Sequence, residues 1–239
     1  MKKNIFSPLK GLKINYYTNS NVFYPTRTTT LIIKSILKNK NWFNNKKKIL
    51  DLGCGSGVIG ITIKKKILKK SEIYFSDYSE NAIKVTKKNL LLNKLKCKVK
   101  KANLMQDWKD IKFDLIINDV SAISSFFLKK KIWYNRFIPC DSGLDGTKLT
   151  LKFLRNLRKE QVAIILPLIS LSNVTKIKKF LSRKSIKYKI LLREDWPLPK
   201  ILARKYLKSL IQLKKKNIID FKERFGMLIA YTEILLIKL

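Results

Sequence analysis

One run in this chain has residue types and spacing that could do chemistry: Asp51-Leu52-Gly53-Cys54-Gly55-Ser56-Gly57. The alternating glycines let the backbone turn tightly and approach a ligand where a Cβ would stand in the way. Asp51 precedes them. Asp77 follows Gly57 by 20 residues, the interval at which nucleotide-binding βαβ units place the carboxylate that takes the ribose hydroxyls. A carboxylate suits that task because it can accept from both hydroxyls at once. Each feature also has a bland reading, a glycine-rich turn and a strand-end aspartate. Taken together they point to a nucleoside-type ligand. Histidine is absent from all 239 residues. That removes the usual general base and the commonest metal ligand, so no metal is expected.

The elements that must position these residues follow from the apolar pattern. Ile49, Leu50 and Leu52 read as a short buried strand. Val58, Ile59, Ile61, Ile63 and Ile67 read as an apolar helix, which gives the strand–turn–helix context a ligand-binding glycine run requires. A second strand, 73–75, ends at Asp77, and Ser79 caps a helix over 80–93, with Glu80 in the first turn suiting the helix dipole. A third strand, 97–102, delivers Asn103 and Leu104, with Asp107 a nearby competitor. A fourth, from Phe113, delivers Asn118 and Asp119. Further strands are expected at 162–168, 188–192 and 227–239. Helices are expected through Leu151, Leu154 and Leu157, from Ser172 to Ser182, and at 201–214, with a break at Trp196-Pro197-Leu198-Pro199. The start of the chain suggests a hairpin of 12–17 with 22–24, then a helix through Ile32, Ile33, Ile36 and Leu37 capped by Thr28 or Thr29. A polar connector, 39–48, leads into the first strand. Strands alternating with helices imply an α/β fold, a three-layer α/β/α sandwich with a mainly parallel, seven-stranded, Rossmann-like sheet. Residues 1–45 then form an N-terminal extension and residues 46–239 the main domain. Asp51, Asp77, Asn103 and Asn118 fall at four successive strand ends, where such sheets bind ligands.

The Asp-x-Gly-x-Gly-x-Gly run resembles the first motif of class I S-adenosylmethionine-dependent methyltransferases. Pro25-Thr26-Arg27-Thr28-Thr29-Thr30-Leu31 is similar to the "IPRPETE-L" entry of the glutamine N5-methyltransferases that modify peptide release factors, with threonines at the acidic positions. Phe113-Asp114-Leu115-Ile116-Ile117-Asn118 resembles the strand before their "NPPY", although Asp119-Val120-Ser121 replaces Pro-Pro-Tyr. Asp141-Ser142-Gly143-Leu144-Asp145-Gly146 resembles their "GGEDGLD" turn. The resemblance implies S-adenosyl-L-methionine as cofactor, held by Asp51, Gly53, Gly55, Gly57, Asp77, Asn103, Leu104 and Asn118. It implies that Asn118 clamps the acceptor NH₂, with Asp119 supplying a further acceptor oxygen. Such transfer relies on positioning, so the lack of histidine is no obstacle. The implied acceptor is a protein glutamine of release-factor type. An RNA base or ribosomal acceptor, or a non-catalytic cofactor-binding relative, are the competing readings.

The formal charge of +37 fits a polyanionic partner such as RNA. It also follows from a lysine-, isoleucine- and asparagine-rich composition, and that reading comes first, because lysine dominates where bidentate phosphate contacts would favour arginine. Between Ser121 and Ile138, Phe126, Phe127, Lys129, Lys130, Lys131, Trp133, Tyr134 and Arg136 read equally well as a substrate-facing stacking segment or as a helix with its aromatics in the core. Cys54, Cys97 and Cys140 form no C-x-x-C pair and suggest a reducing compartment, the cytoplasm. No apolar run spans a bilayer, and the first residues lack a signal-peptide core.

Overall fold

The computed structural model describes residues 1–130, 138, 140–157 and 162–239. Lys131, Trp133, Tyr134 and Arg136 of the expected aromatic–basic segment lie outside these residues. The central sheet runs in the order β5(Lys98–Lys101), β4(Glu72–Asp77), β3(Lys48–Leu52), β6(Leu115–Asn118), β7(Ala163–Ile169), β10(Met227–Lys238), β8(Tyr188–Pro197), with β9(Lys222–Arg224) paired to β10. β3 to β7 are parallel, and β10 is antiparallel to both β7 and β8. Strand order reverses between β3 and β6, so the carboxyl ends of these two strands frame the crevice where such sheets bind ligands.

The sheet is covered on both faces, which is why β3 is buried at every position after Lys48. On one face Ile49 packs with Ile32, Ile33 and Ile36 of α1(Arg27–Lys38) and with Ile59 and Ile61 of α3(Val58–Thr62), which continues into a π-helical turn, Ile63–Ile67. On the other, Leu50 and Leu52 meet Phe153 and Leu154 of α6(Lys148–Arg155) and Ile177 and Leu181 of α7(Val174–Arg183). Helix α4(Glu80–Leu92) is capped by Ser79, whose hydroxyl accepts from the Ala82 amide. The three-layer α/β/α sandwich and mainly parallel sheet are therefore as read from the sequence, with β9 added to the seven strands.

Several local readings are corrected. The N-terminal hairpin pairs β1(Lys2–Leu9) with β2(Leu12–Thr18), and it turns at Gly11, whose φ is +83°. Residues 22–24 form no strand. The lysines of β1 hid an alternation that buries Phe6 against Ile14 and Tyr16. Helix α1 is capped by Thr26, in a reciprocal capping box with Thr29. The connector before β3 contains a short helix, α2(Lys40–Phe43), anchored by the buried Phe43. Asn173, rather than Ser172, caps α7: its side chain accepts from the Lys176 amide at 2.9 Å, while the Ser172 hydroxyl donates to the Ile169 carbonyl. Trp196 and Pro197 belong to β8, where Trp196 pairs with Ala230. Edge position lets β8 accept a proline. Helix α5 spans Ser125–Lys129, and α8 spans Lys200–Lys215 with a kink at Tyr206.

Candidate functional site

The turn after β3 is left-handed at Gly53, Gly55 and Gly57, but the glycines serve different ends. A Cβ on Gly53 would stand 2.7 Å from Val120 Cγ1, so the loop is pressed against the exit of β6. A Cβ on Gly55 would find nothing nearer than Phe23 Cβ at 3.9 Å, so its face is open. Gly57 and Gly60 answer to packing instead, lying against Thr86 of α4 and the Phe75 ring of β4. Gly60 was not singled out from the sequence; the distant Phe75 ring and the Asp51 carboxylate, 3.0 Å from where a Cβ would stand, explain it.

Three carboxylates gather beneath this loop. Asp51 is fully buried; its Oδ2 accepts from the Gly60 amide at 2.9 Å and its Oδ1 has no partner. Burial pushes its carboxyl up to about 7, the Gly60 bond opposing and the charge of Asp77 adding to the rise. Asp77 ties the loop to β4: Oδ2 accepts from the Gly55 amide at 2.9 Å and Oδ1 from the Ser79 amide at 2.8 Å. Burial raises its carboxyl too. Asp119, just beyond β6, accepts from the Thr29 hydroxyl of α1 at 3.3 Å. Burial, reinforced by Asp51, pushes it up to about 8. Raised carboxylates gathered in so basic a chain make a seat suited to a cation.

Two cavities adjoin at the carboxyl ends of β3 and β6. The first, about 820 Å³, is lined by Asp77, Tyr78, Asn103 and Leu104 among others. The second, about 570 Å³, is lined by Tyr24, Pro25, Arg27, Thr29 and Trp196 among others. Both include Phe23, Gly53, Gly55, Asp119, Val120 and Ser121. Of the residues expected from the sequence, Gly53, Gly55, Asp77, Asn103, Leu104 and Asp119 therefore line the cavities. Asp51, Gly57 and Asn118 lie behind them. Asn118 Oδ1, expected to face an acceptor, accepts instead from the Val120 amide at 3.2 Å, and its buried Nδ2 has no partner. Asp107, the competitor of Asn103, accepts from the Asn103 amide and lines neither cavity. Arg27 lines the second cavity and pairs with Glu194 of β8. Phe23, Tyr78, Val120 and Trp196 were not anticipated as lining residues; the first three adjoin Pro25, Asp77 and Asp119, which were, and Trp196 comes from the edge strand, away from any expected motif.

Residues 14–119 match the family model of the methyltransferase small domain. Over that stretch the chain is similar to the methyltransferase small domain, and it has the class I methyltransferase fold. Among similar proteins, the release factor glutamine methyltransferase of Clostridium botulinum is 32% identical over 176 residues, covering 68% of this chain and 58% of that protein. The ribosomal protein L11 methyltransferase of Fusobacterium nucleatum is 36% identical over 98 residues, 40% of this chain and 30% of that protein. The chain thus spans well under two thirds of both relatives. The 16S rRNA N2 G1207 methyltransferase of T. thermophilus, solved with AdoMet and guanosine, superposes with a TM-score of 0.56 at 13% identity, over 97% of this chain and 50% of that one. That likeness shows the fold.

The residues around the two cavities fit an adenosyl sulfonium ligand. The open face of Gly55 leaves the room a methionine moiety needs, and a Cβ there would fill it. A carboxylate has about four acceptor positions, so Asp77 can hold two amides and still accept from ribose hydroxyls. Leu104, left-handed at φ +55° and nearly buried, presents an apolar wall beside Asn103 in the same cavity.

Proposed function

We propose that this protein transfers a methyl group from S-adenosyl-L-methionine to a nitrogen of a macromolecule, and that the acceptor is a protein glutamine side chain of the release-factor type. The observation that carries the reading is the meeting of the two cavities at Gly53, Gly55 and Asp119–Ser121, which opens a short path from a cofactor seat to an acceptor seat. Bound in the larger cavity, S-adenosylmethionine supplies a methyl on a positively charged sulfur, open to in-line displacement. In this reading Asp77 takes the ribose hydroxyls, Asn103 the adenine amine, Leu104 the ring face, and Gly53 and Gly55 the methionine chain. Asp51 and Gly57 hold the loop from behind. Asp119 is the only ionisable side chain shared by both cavities among the described residues. It orients the acceptor NH₂ through a carboxylate oxygen and takes up the proton that nitrogen releases. Asn118 acts through it, because its bond to the Val120 amide fixes the turn that presents Asp119.

The relatives named release factor glutamine methyltransferase support the protein acceptor. A second reading, an RNA base, draws on Phe23, Tyr24 and Trp196, aromatic side chains in the second cavity on which a base could stack. Incubation with methyl-labelled cofactor and cell extract, followed by protease or nuclease digestion, separates the two. Label released as methylglutamine is expected. Label confined to nucleotides would favour RNA, and no label in either fraction would sink the transferase reading.

A further inference from the structure

Strands β8 and β10 are antiparallel neighbours, a geometry that two residues suffice to connect. The chain instead makes an excursion over residues 198–226, which contains α8 and β9. Part of it closes a small core: Leu202 and Leu210 of α8 pack with Ile219, Phe221 and Leu228. Its far end does not serve that core. β9 and the start of β10 form a ribbon in which Lys222 faces Ile229 and Arg224 faces Met227, so all four side chains share one face. The opposite face carries Leu228, buried, across from Glu223.

The tip of that ribbon is Phe225-Gly226. Both residues are left-handed, at φ +50° and +66°, as a two-residue hairpin turn demands, and such turns favour Asn, Asp or Gly at the first position. Phe225 is 96% exposed, and Met227 beside it is 41% exposed. The fold thus gives Phe225 neither packing nor a comfortable backbone, which is an outlier that calls for a function. Its surroundings are cationic. The excursion holds nine basic residues against two acidic ones, Asp220 and Glu223. Asp220 is paired with Lys214. Among the described residues Lys215, Lys216, Lys222 and Arg224 have no carboxylate within ion-pair distance.

We propose that this hairpin tip is a docking point for single-stranded RNA, with a nucleobase stacked on Phe225 and the flanking phosphates held by Lys222, Arg224, Lys215 and Lys216. A lone exposed ring between unpaired cations is the arrangement that binds single strands without regard to sequence. An acidic protein would satisfy the cations, but a nucleic acid supplies a π-face beside every phosphate. The inference is independent of the methyl acceptor's identity. Thr232 lines the second cavity, and the five residues back along β10 to Met227, beside the tip, put the tip about 17 Å from it at ~3.3 Å per residue. The tip therefore tethers rather than presents the reacting group.

Fluorescence anisotropy of the full chain with a labelled twelve-residue oligouridine, over a range of salt, tests the proposal. Phe225→Asn suits the left-handed turn better than the native residue, so its melting temperature should be equal or higher. Its affinity for the single strand should nevertheless fall about tenfold, with the salt slope unchanged, because stacking releases no counterions. Replacing Lys222 and Arg224 together by serine should lower the slope of log affinity against log salt by about 1.4, the single-strand value for two phosphate contacts. Affinity of Phe225→Asn equal to that of wild type would overturn the proposal. So would an equal loss by that variant on a fully duplexed RNA, or binding of polyglutamate as tight as that of the oligouridine.

Discussion

Asp119 is the residue on which the proposed chemistry turns, because it stands where both cavities meet. Asp119→Asn keeps the size and a carbonyl oxygen but removes the ability to take a proton. Single-turnover methyl transfer at saturating cofactor should fall on the order of a hundredfold, the scale of a lost positioning or general-base group. The pH profile is the sharper readout. Burial holds the Asp119 carboxyl up to about 8, so the wild-type rate should climb with pH through the neutral range as the base ionises, and the variant should lose that limb. Identical profiles for the two proteins would remove Asp119 from the chemistry. Within the loop, Gly55→Val should abolish cofactor binding in a folded protein by filling the open space above Gly55, as calorimetry with the cofactor would show. Gly57→Ala should instead lower the melting temperature, since its Cβ meets Thr86. The sequence made the glycine run and Asp77 legible. It did not reveal which glycine has an open face, because that is decided by Phe23, Val120 and Thr86, remote in sequence. Asn118 was misplaced for the same reason: residue type and strand end were right, but its oxygen is taken by the Val120 amide two residues on.

Helix α1 links the N-terminal segment to the site. Its capping box joins Thr26 and Thr29, and the Thr29 hydroxyl also reaches Asp119. The two threonines should therefore separate stability from chemistry. Thr26→Ala loses a cap and should cost about 1 kcal/mol, read as a lower denaturation midpoint, with transfer rate unchanged. Thr29→Val should cost a comparable amount and in addition move the pH limb of transfer upward, since its bond to Asp119 holds that carboxyl lower than burial alone would. Matching pH profiles in both variants would show that α1 merely packs. The apolar stripe of α1 was plain from Ile32, Ile33 and Ile36, whereas its start was not, because several threonines in a row all qualify as caps. The N-terminal hairpin was read with the wrong partner strand because Lys2 and Lys3 obscured β1. The inner parallel strands were the easiest to read, since a strand covered on both faces needs an unbroken apolar run.

At the scale of the whole molecule, the absence of histidine makes the buried carboxylates visible. Between about pH 5 and 8 most proteins titrate histidines; this chain has none, and the seat beneath the glycine loop holds Asp51 and Asp119 with carboxyls raised to about 7 and about 8. A group whose folded pKa lies above its unfolded value binds more protons in the folded state, so stability falls as pH rises from the unfolded toward the folded value. At about 1.4 kcal/mol per unit, Asp51 alone, raised from 3.8 to about 7, withdraws on the order of 4 kcal/mol across that window. The free protein should therefore melt at a lower temperature at pH 8 than at pH 5.5, the opposite of the usual trend for paired carboxylates. A sulfonium cation in the seat favours the ionised carboxylates. The stabilisation given by saturating S-adenosylmethionine should then grow with pH, while that given by S-adenosylhomocysteine, whose sulfur carries no charge, should not. Added salt should raise the melting temperature at every pH by screening the +37 surface, but it should leave the difference between the two ligands in place, because the groups responsible are buried. Differential scanning fluorimetry at several pH values and two salt concentrations would decide it. A melting temperature that rises steadily from pH 5.5 to 8, or equal pH trends for the charged and uncharged ligands, would show that the carboxylates are not the cation's seat.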